Sequence, residues 1–361
     1  MVNQYQLLEL ITLDIALFHA ERPYYISGWN AERTSDGFDP ERRARLAAIP
    51  PPPPGLKPDV IYRIDYPLRF ADYASKRLFV FGTSEQRNIE GKVTEGQLEG
   101  ALRDPNVTVV TPSEWSKEGF VGAGFDPARV LVVPHGVNPA IFGPPDPGLR
   151  AQMRRAMGLR EDEFALLSVG AMTDNKGIDL LIIAYALLRQ RYPQLRLVLK
   201  DASGLYAKTG VDILDKLAPH RPDLITAELR ASIIHFSMNL ELMQLGLLYG
   251  SCDAYVSPYR AEGFNVPPLE AAACGLPVVV TKGGSTDDYV HPSFALTVAS
   301  HRFTTDNITM LEADIEDLMD KITMLVEGRA PHIDKSFAVR YVANAFSWAA
   351  AVRELMAAMF P

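Results

Sequence analysis

The stretch that most constrains the fold lies at residues 259–281 and reads YRAEGFNVPPLEAAACGLPVVVT. It follows an apolar segment, Ala254–Ser257, that we predict to be a strand. A polar turn comes next, then a predicted helix over residues 268–273, and then the run Val278–Thr281, which is typical of a buried parallel strand. Strand, loop, helix and strand in this order form a βαβ unit, whose ligands lie at the carboxyl ends of the strands.

Two glutamates are spaced across this unit. Glu262 lies in the loop, and Glu270 follows eight positions later, inside the predicted helix. Pro267 and Pro268 suit the first turn of that helix, where a missing N–H costs little, and the free N–H groups of residues 263–266 form an anion site together with the helix dipole. Carboxylates on both sides of an anion site suit a sugar nucleotide. The same spacing also fits an ordinary α/β turn with two solvated glutamates.

A second loop of the same kind carries Lys176. It follows the predicted strand at residues 165–170 and precedes a predicted helix that ends near Arg191. A cation beside free helix N–H groups favours a phosphate site. The alternative is a solvated lysine in a turn.

Length and charge limit the function classes. A chain of 361 residues suits two domains, and a net charge of −8 argues against a general affinity for nucleic acid. Cys252 and Cys274 belong to no CxxC pair, so we expect reduced thiols in a cytoplasmic protein without an N-terminal signal peptide. No pattern of metal ligands is evident, and we expect neither a metal nor a cofactor.

The start of the chain departs from a doubly wound sheet. A helix is predicted at residues 1–10, a strand at 11–20 and a short helix at 37–49, whereas such a sheet begins with a strand and a Gly-rich turn. We therefore expect either an N-terminally shortened domain or a later segment in the place of the first strand. Residues 150–340 should be unaffected.

Residues 262–279, EGFNVPPLEAAACGLPVV, closely resemble the donor-site motif E-G-F-G-x-P-x-x-E-A-x-A-C-G-x-P-V-V of family-4-type retaining GT-B glycosyltransferases, the glycosyl transferases group 1. Asn265 stands where the motif usually has Gly. Residues 111–142 and 168–188 match further parts of the family at the expected distances, and the resemblance covers roughly residues 57–348.

The resemblance implies an α/β protein of the GT-B fold, with two doubly wound Rossmann-like domains that face each other across a cleft. The acceptor-side domain would span residues 1–143 and the donor domain 144–345. A last helix, 346–361, would cross back to the first domain, and the proline-rich segment 134–149 would be the hinge. The implied reaction transfers a sugar from a nucleoside diphosphate sugar to an acceptor hydroxyl, with retention and without a metal.

The resemblance also assigns roles at the donor site. Glu270 would bind the nucleotide ribose, Glu262 the hydroxyls of the donor sugar, and Lys176 the leaving diphosphate. A family arginine that pairs with this lysine is replaced by Ala171, and Arg260, Lys282 or Lys200 would have to substitute for it. Phe264 either contacts the sugar or packs under the loop. The remaining predicted donor contacts are Gly263, Asn265, Val266 and Arg260.

Acceptor-side residues are less defined. The family histidine that faces the reacting sugar is replaced by Ile64, and Arg63 and Asp65 are the nearby polar candidates. His19 is another candidate, and His135 is expected to make local hydrogen bonds. The expected acceptor is a carbohydrate or glycolipid.

Basic clusters raise the question of a membrane. They lie at Arg42, Arg43 and Arg45 and at Arg154 and Arg155, and they indicate solvated helix faces or a weak peripheral contact with the inner membrane face.

Three other functions remain open for this sequence. A nucleotide-sugar epimerase or a glycosyl phosphorylase can use the same fold. A non-catalytic nucleotide-sugar binding protein would also fit the missing histidine and the missing arginine.

Overall fold

The fold is described from a computed structural model of the chain, which describes Ala44, Ala48 and residues 50–71, 73–202 and 208–361. Internal contacts divide the chain into two compact units. The first runs to Gly136 and also contains Phe346–Pro361, and the second is Val137–Ala345. The amino-terminal part of the first unit therefore ends at Gly136. The domain boundary predicted from the sequence lies at residue 143.

In the described residues of the first unit, a parallel sheet has four strands in the order β1-β2-β3-β4. Alternate residues of β2 enter opposite cores, because neighbouring side chains of a strand point to opposite faces. Leu78 and Val80 pack with the α2 residue Phe120, whereas Phe79 and Phe81 pack with the last helix, α11. The elements are β1 Val60–Ile64, β2 Arg77–Phe81, α1 Leu98–Arg103, β3 Val107–Thr111, α2 Glu114–Gly122, β4 Val130–Val132 and α11 Trp348–Met359.

The second unit is built on a six-stranded parallel sheet with the order β10-β9-β8-β5-β6-β7. The strands are β5 Phe164–Gly170, β6 Leu195–Asp201, β7 Ile233–Phe236, β8 Ala254–Ser257, β9 Val278–Thr281 and β10 Ala295–Val298. An antiparallel hairpin of β11 Ser300–Thr305 and β12 Ile308–Ala313 follows them. The helices are α3 Pro147–Ala156, α4 Ile178–Arg191, α5 Gly210–Leu217, α6 Ala227–Ser232, α7 Leu242–Ser251, α8 Val266–Ala273, α9 Ile315–Val326 and α10 Lys335–Ala345.

The three strands predicted at residues 165–170, 254–257 and 278–281 are confirmed to within one residue, because short apolar runs between turn residues identify them. Helix α8 begins at Val266, two residues before the predicted start. The hairpin β11–β12 was not predicted, since its outer face is polar and exposed. No helix in the part of the chain that the structure describes is long and apolar enough to cross a bilayer.

Several predictions fall outside the described residues. They are the helix at 1–10, the strand at 11–20 with His19, the helix at 37–49 apart from Ala44 and Ala48, and the basic cluster Arg42, Arg43 and Arg45. The predicted absence of a first strand depends on the same segment and stays a prediction.

Arg154 corrects the prediction of a solvated basic face. Its side chain is only 7% exposed and lies 2.9 Å from Asp253. It also donates to the carbonyl oxygens of Ser251 and Glu163. Arg155 is exposed, as predicted for a solvated helix face. The spacing of two adjacent arginines on one helix does not reveal which of them faces the sheet.

Asp253 holds this part of the second unit together. Its carboxylate also accepts from Arg150, at 2.7 Å, and from the amide of Ala165, at 2.8 Å. Asp253→Ala is expected to lower the free energy of unfolding by about 3 kcal/mol, because Arg154 would remain buried without its carboxylate. Urea unfolding followed by circular dichroism measures this change.

The matched control is Asp162→Ala, since Asp162 also pairs with an arginine but its side chain is 70% exposed. That variant should differ from wild type by less than about 0.5 kcal/mol. Equal unfolding midpoints for the Asp253 and Asp162 variants would contradict the role of Asp253 as the partner of a buried arginine.

Candidate donor-binding site

The site lies at the switch point of the six-stranded sheet. The chain adds β6 and β7 on one side of β5, and it then returns to place β8, β9 and β10 on the other side. The loops that leave β5 and β8 therefore begin side by side at the carboxyl ends of two paired strands, where open α/β sheets bind their ligands. These two loops carry Lys176 and Glu262.

Hydrogen bonds join the two loops. The carbonyl oxygen of Asn175 accepts from the amides of Arg260 and Ala261, at 2.7 and 3.2 Å. The side-chain amide of Asn175 donates to the carbonyl of Ala261 at 3.0 Å. The loops therefore form one unit, and Asn175 is a residue that the sequence analysis missed. Its position directly before Lys176 is the only sequence signal for this role.

Gly177 allows the loops to approach so closely. Its φ is 67°, a left-handed conformation that glycine adopts without steric cost. A Cβ atom at this position would lie 2.0 Å from the carbonyl oxygen of Pro258. Any side chain here would push the two loops apart.

Lys176 and Glu262 are brought together as an ion pair, with Nζ facing Oε1. Their side chains are 19% and 8% exposed, so the pair is largely shielded from water. The stem of Lys176 lies over Gly170, the last residue of β5. The two predicted catalytic residues, Lys176 and Glu262, therefore lie side by side at the carboxyl edge of the sheet.

Glu270 lies on α8 and keeps a partly exposed side chain. Its Oε2 accepts from the Tyr249 hydroxyl at 2.8 Å. Desolvation by the surrounding protein raises the pKa of Glu270 to about 7, against the smaller lowering caused by that hydrogen bond. The carboxyl group is therefore close to half-protonated at neutral pH.

Asn265 precedes α8 and explains the departure from Gly in the motif. Its φ is 64° and its ψ is 70°, a left-handed conformation in which Asn is the usual replacement for Gly. Its side-chain amide donates to Ser257 Oγ at 3.0 Å, and its carbonyl oxygen accepts from Tyr289 at 2.6 Å. These bonds fix the loop of Gly263 and Val266 at the amino end of the helix.

Phe264 is buried, with 2% of its surface exposed. Its ring lies 5.0 Å from that of Tyr289. Of the two alternatives for this residue, the structure supports packing under the loop.

Arg260 is held by acidic groups. It donates to both carboxylate oxygens of Asp179, at 2.8 and 2.9 Å, and to both oxygens of Glu312, at 2.8 and 3.2 Å. Hydrogen bonds and charges from these two residues raise the pKa of Arg260 despite burial. A guanidinium that faces two carboxylates is poorly placed to attract a diphosphate, so its predicted donor contact stays a prediction.

The other proposed substitutes for the family arginine also differ in environment. Lys200 is buried and donates to the carbonyl oxygen of Asp201, and burial lowers its pKa. Lys282 is exposed at the end of β9, on the same sheet edge as Lys176. Solvent access makes Lys282 the better placed of the two lysines.

The acceptor-side candidates lie in the first unit. Arg63 donates to the carbonyl oxygens of Arg69 and Ala71, at 2.9 and 2.8 Å, so it holds the loop after β1. Asp65 lies 3.3 Å from Arg69.

His135 is buried in the same unit, between the rings of Phe81 and Trp348 at 5.6 and 5.7 Å. Burial lowers its pKa to about 3, so its imidazole is neutral at physiological pH.

Known proteins resemble this chain in sequence. The D-inositol 3-phosphate glycosyltransferase of Actinosynnema mirum is 33% identical over 241 residues, which cover 64% of this chain and 52% of that protein. The protein of the same name from Geodermatophilus obscurus is 32% identical, over 65% of this chain and 48% of its own length. The chain thus spans about half the length of the curated relatives it matches.

Solved structures agree in fold. Anabaena HepE, solved with UDP-glucose, has a TM-score of 0.63 at 18% identity, over 83% of this chain and 78% of its own. WaaG, a glycosyltransferase of lipopolysaccharide biosynthesis, has a TM-score of 0.59 at 15% identity, over 99% of this chain and 96% of its own. These neighbours have the GT-B fold, which confirms the predicted fold class.

The sequence profile of the glycosyl transferases group 1 family matches residues 150–327. This range contains β5, β8 and α8, and with them Lys176, Glu262 and Glu270. The match to the glycosyl transferases group 1 family therefore lies within the second unit, over residues 150–327.

Proposed function

We propose that this protein transfers a sugar from a nucleoside diphosphate sugar to an acceptor hydroxyl, with retention of the anomeric configuration and without a metal ion. The observation that carries the proposal is the pairing of Lys176 with Glu262 at the switch point of the sheet. Glu270 lies on α8, the helix that follows the loop of Glu262. These residues offer a cation for a diphosphate and two carboxylates for hydroxyl groups.

Each group has a distinct task in this reaction. Glu270 accepts hydrogen bonds from the ribose, and Glu262 accepts them from the donor sugar, since ionised carboxylates make the stronger kind of hydrogen bond. Lys176 and the N–H groups at the start of α8 stabilise the negative charge that grows on the leaving diphosphate. The acceptor attacks from the face that the diphosphate leaves, and a phosphate oxygen takes the proton of the acceptor hydroxyl.

The identity of the substrates is also part of the proposal. HepE was solved with UDP-glucose, and the matched relatives are named for D-inositol 3-phosphate. We therefore propose UDP-sugars as the first donors to test, and sugar phosphates, free carbohydrates and glycolipids as acceptors. Peripheral contact with a membrane stays a prediction, and Arg154 does not contribute to it because its side chain is buried.

The test is a thermal-shift screen of UDP-, GDP- and ADP-sugars followed by transfer assays with the best donor. A ligand that binds only the folded state raises the unfolding temperature. We expect product in the presence of excess EDTA, and NMR of that product should show the anomeric configuration of the donor.

Four results would contradict the proposal. Conversion of the nucleotide sugar without an acceptor would indicate an epimerase, and a requirement for free phosphate would indicate a phosphorylase. Strict dependence on a divalent ion would show that a metal ion, and not Lys176, stabilises the charge of the leaving diphosphate. Binding without turnover over the whole acceptor panel would indicate a non-catalytic binding protein.

A further inference from the structure

The hairpin β11–β12 stands outside the six-stranded sheet and contacts the loop that carries Glu262. The amide of Leu311 donates to the carbonyl oxygen of Arg260 at 2.8 Å. The next residue, Glu312, receives two hydrogen bonds from the guanidinium of Arg260. The hairpin therefore binds both the backbone and the side chain of a residue two positions before Glu262.

Arg260 also connects the hairpin to the loop of Lys176. Its guanidinium binds Asp179 in the first turn of α4 and the carbonyl oxygen of Asp174 at 2.9 Å. The side chain is only 16% exposed, so these contacts are partly shielded from solvent. Three segments of the chain, namely the hairpin, the β5 loop with the start of α4, and the β8 loop, therefore meet at one guanidinium.

The charges at this point argue against direct contact with the donor. One guanidinium faces the carboxylates of Asp179 and Glu312, which leaves a local charge of −1. A diphosphate would be repelled by that balance. The same balance suits a structural junction, because both carboxylates are paired.

We propose that Glu312 is a positioning residue, by which the hairpin β11–β12 holds Arg260 and thereby sets Glu262 against the donor sugar. This inference rests on the proposed function for its effect on the donor. The hold on the loop itself does not require any ligand and can be measured separately.

The first measurement uses the ligand-free protein. The amides of Arg260 and Ala261 donate to Asn175, so their hydrogen exchange reports the order of the loop. Glu312→Gln is expected to speed exchange in residues 259–264 by about tenfold or more. Glu316→Gln, which removes the same charge from an exposed position on α9, should leave this exchange unchanged.

The second measurement is a double-variant cycle for binding of UDP-glucose by calorimetry. Glu312→Gln alone should weaken binding by about fivefold. In the Glu262→Gln background, the same substitution should have no further effect, because Glu312 acts through Glu262. In the Glu270→Gln background, the fivefold effect should persist, since Glu270 lies on α8 and Glu312 does not act through it.

The outcomes separate the two proposals. Unchanged exchange in Glu312→Gln overturns the positioning role, whatever the protein binds. An effect of Glu312→Gln that persists in full without Glu262 also overturns it. Faster exchange in a protein that binds no UDP-, GDP- or ADP-sugar supports the hold of the hairpin on the loop and rejects the proposed function instead.

Discussion

Replacement of Lys176 by alanine is expected to lower kcat by about 100- to 1000-fold, with a much smaller change in KM for the donor. This range is typical when one preorganised group that stabilises a developing charge is removed. The charge on the leaving diphosphate is larger in the transition state than in the bound donor, so the loss falls mainly on kcat. Steady-state kinetics with the donor and acceptor found in the transfer assay measure both constants.

Two variants serve as controls for this experiment. Lys176→Arg keeps the positive charge and should recover part of the lost kcat. The second control is Lys216→Ala. Lys216 lies 3.4 Å from Asp174, which belongs to the loop of Lys176, but the Lys216 side chain is 72% exposed. The Lys216→Ala variant should have the kcat of wild type. A wild-type kcat in Lys176→Ala would reject the assignment of Lys176 to the leaving group.

Binding of a nucleotide sugar is expected to weaken by up to about 100-fold between pH 8 and pH 5, because an ionised Glu270 accepts stronger hydrogen bonds from the ribose than a protonated one. Its pKa of about 7 leaves most of the carboxyl groups ionised at pH 8. The ionised fraction falls to roughly one in ten at pH 6 and one in a hundred at pH 5. Apparent affinity falls with the fraction of protein that can bind, so most of the change lies below pH 7.

Calorimetric titration of a nucleotide sugar at each pH tests this expectation. A nucleotide sugar is preferable to the free diphosphate, because its diphosphate diester does not take up a proton in this range. Glu270→Gln should bind more weakly than wild type at pH 8 and should lose the pH dependence. A dependence of the same size in wild type and Glu270→Gln would show that another group titrates.

The parallel sheet and the position of its ligand edge could be predicted because they depend on short-range patterns. The run Val278–Thr281 and the stop at Gly275 define a strand and the end of a helix without reference to the rest of the chain. Lys176 and Glu262 could each be placed in a loop that leaves a strand. Their pairing follows from the strand order, since β5 and β8 are neighbours in the sheet.

Partners that are distant in sequence could not be predicted. Arg260 is read from the sequence as a cation next to the motif, but its partners Asp179 and Glu312 lie 81 and 52 positions away. The sequence does not distinguish Arg154 from Arg155, and only the structure shows that Arg154 pairs with Asp253. Charge type is visible in a sequence, whereas the direction of a long side chain depends on what packs against it.

Both ends of the hairpin meet at one point, where the amide of Asp314 donates to the carbonyl oxygen of Ala299 at 2.8 Å. The tip of such a hairpin can be lengthened or shortened during evolution without displacing β10 or α9, because the points where the hairpin joins the domain stay in place. Under the proposed function, variation in this hairpin would change how Glu262 is set against the donor sugar without any change in Lys176, Glu262 or Glu270 themselves.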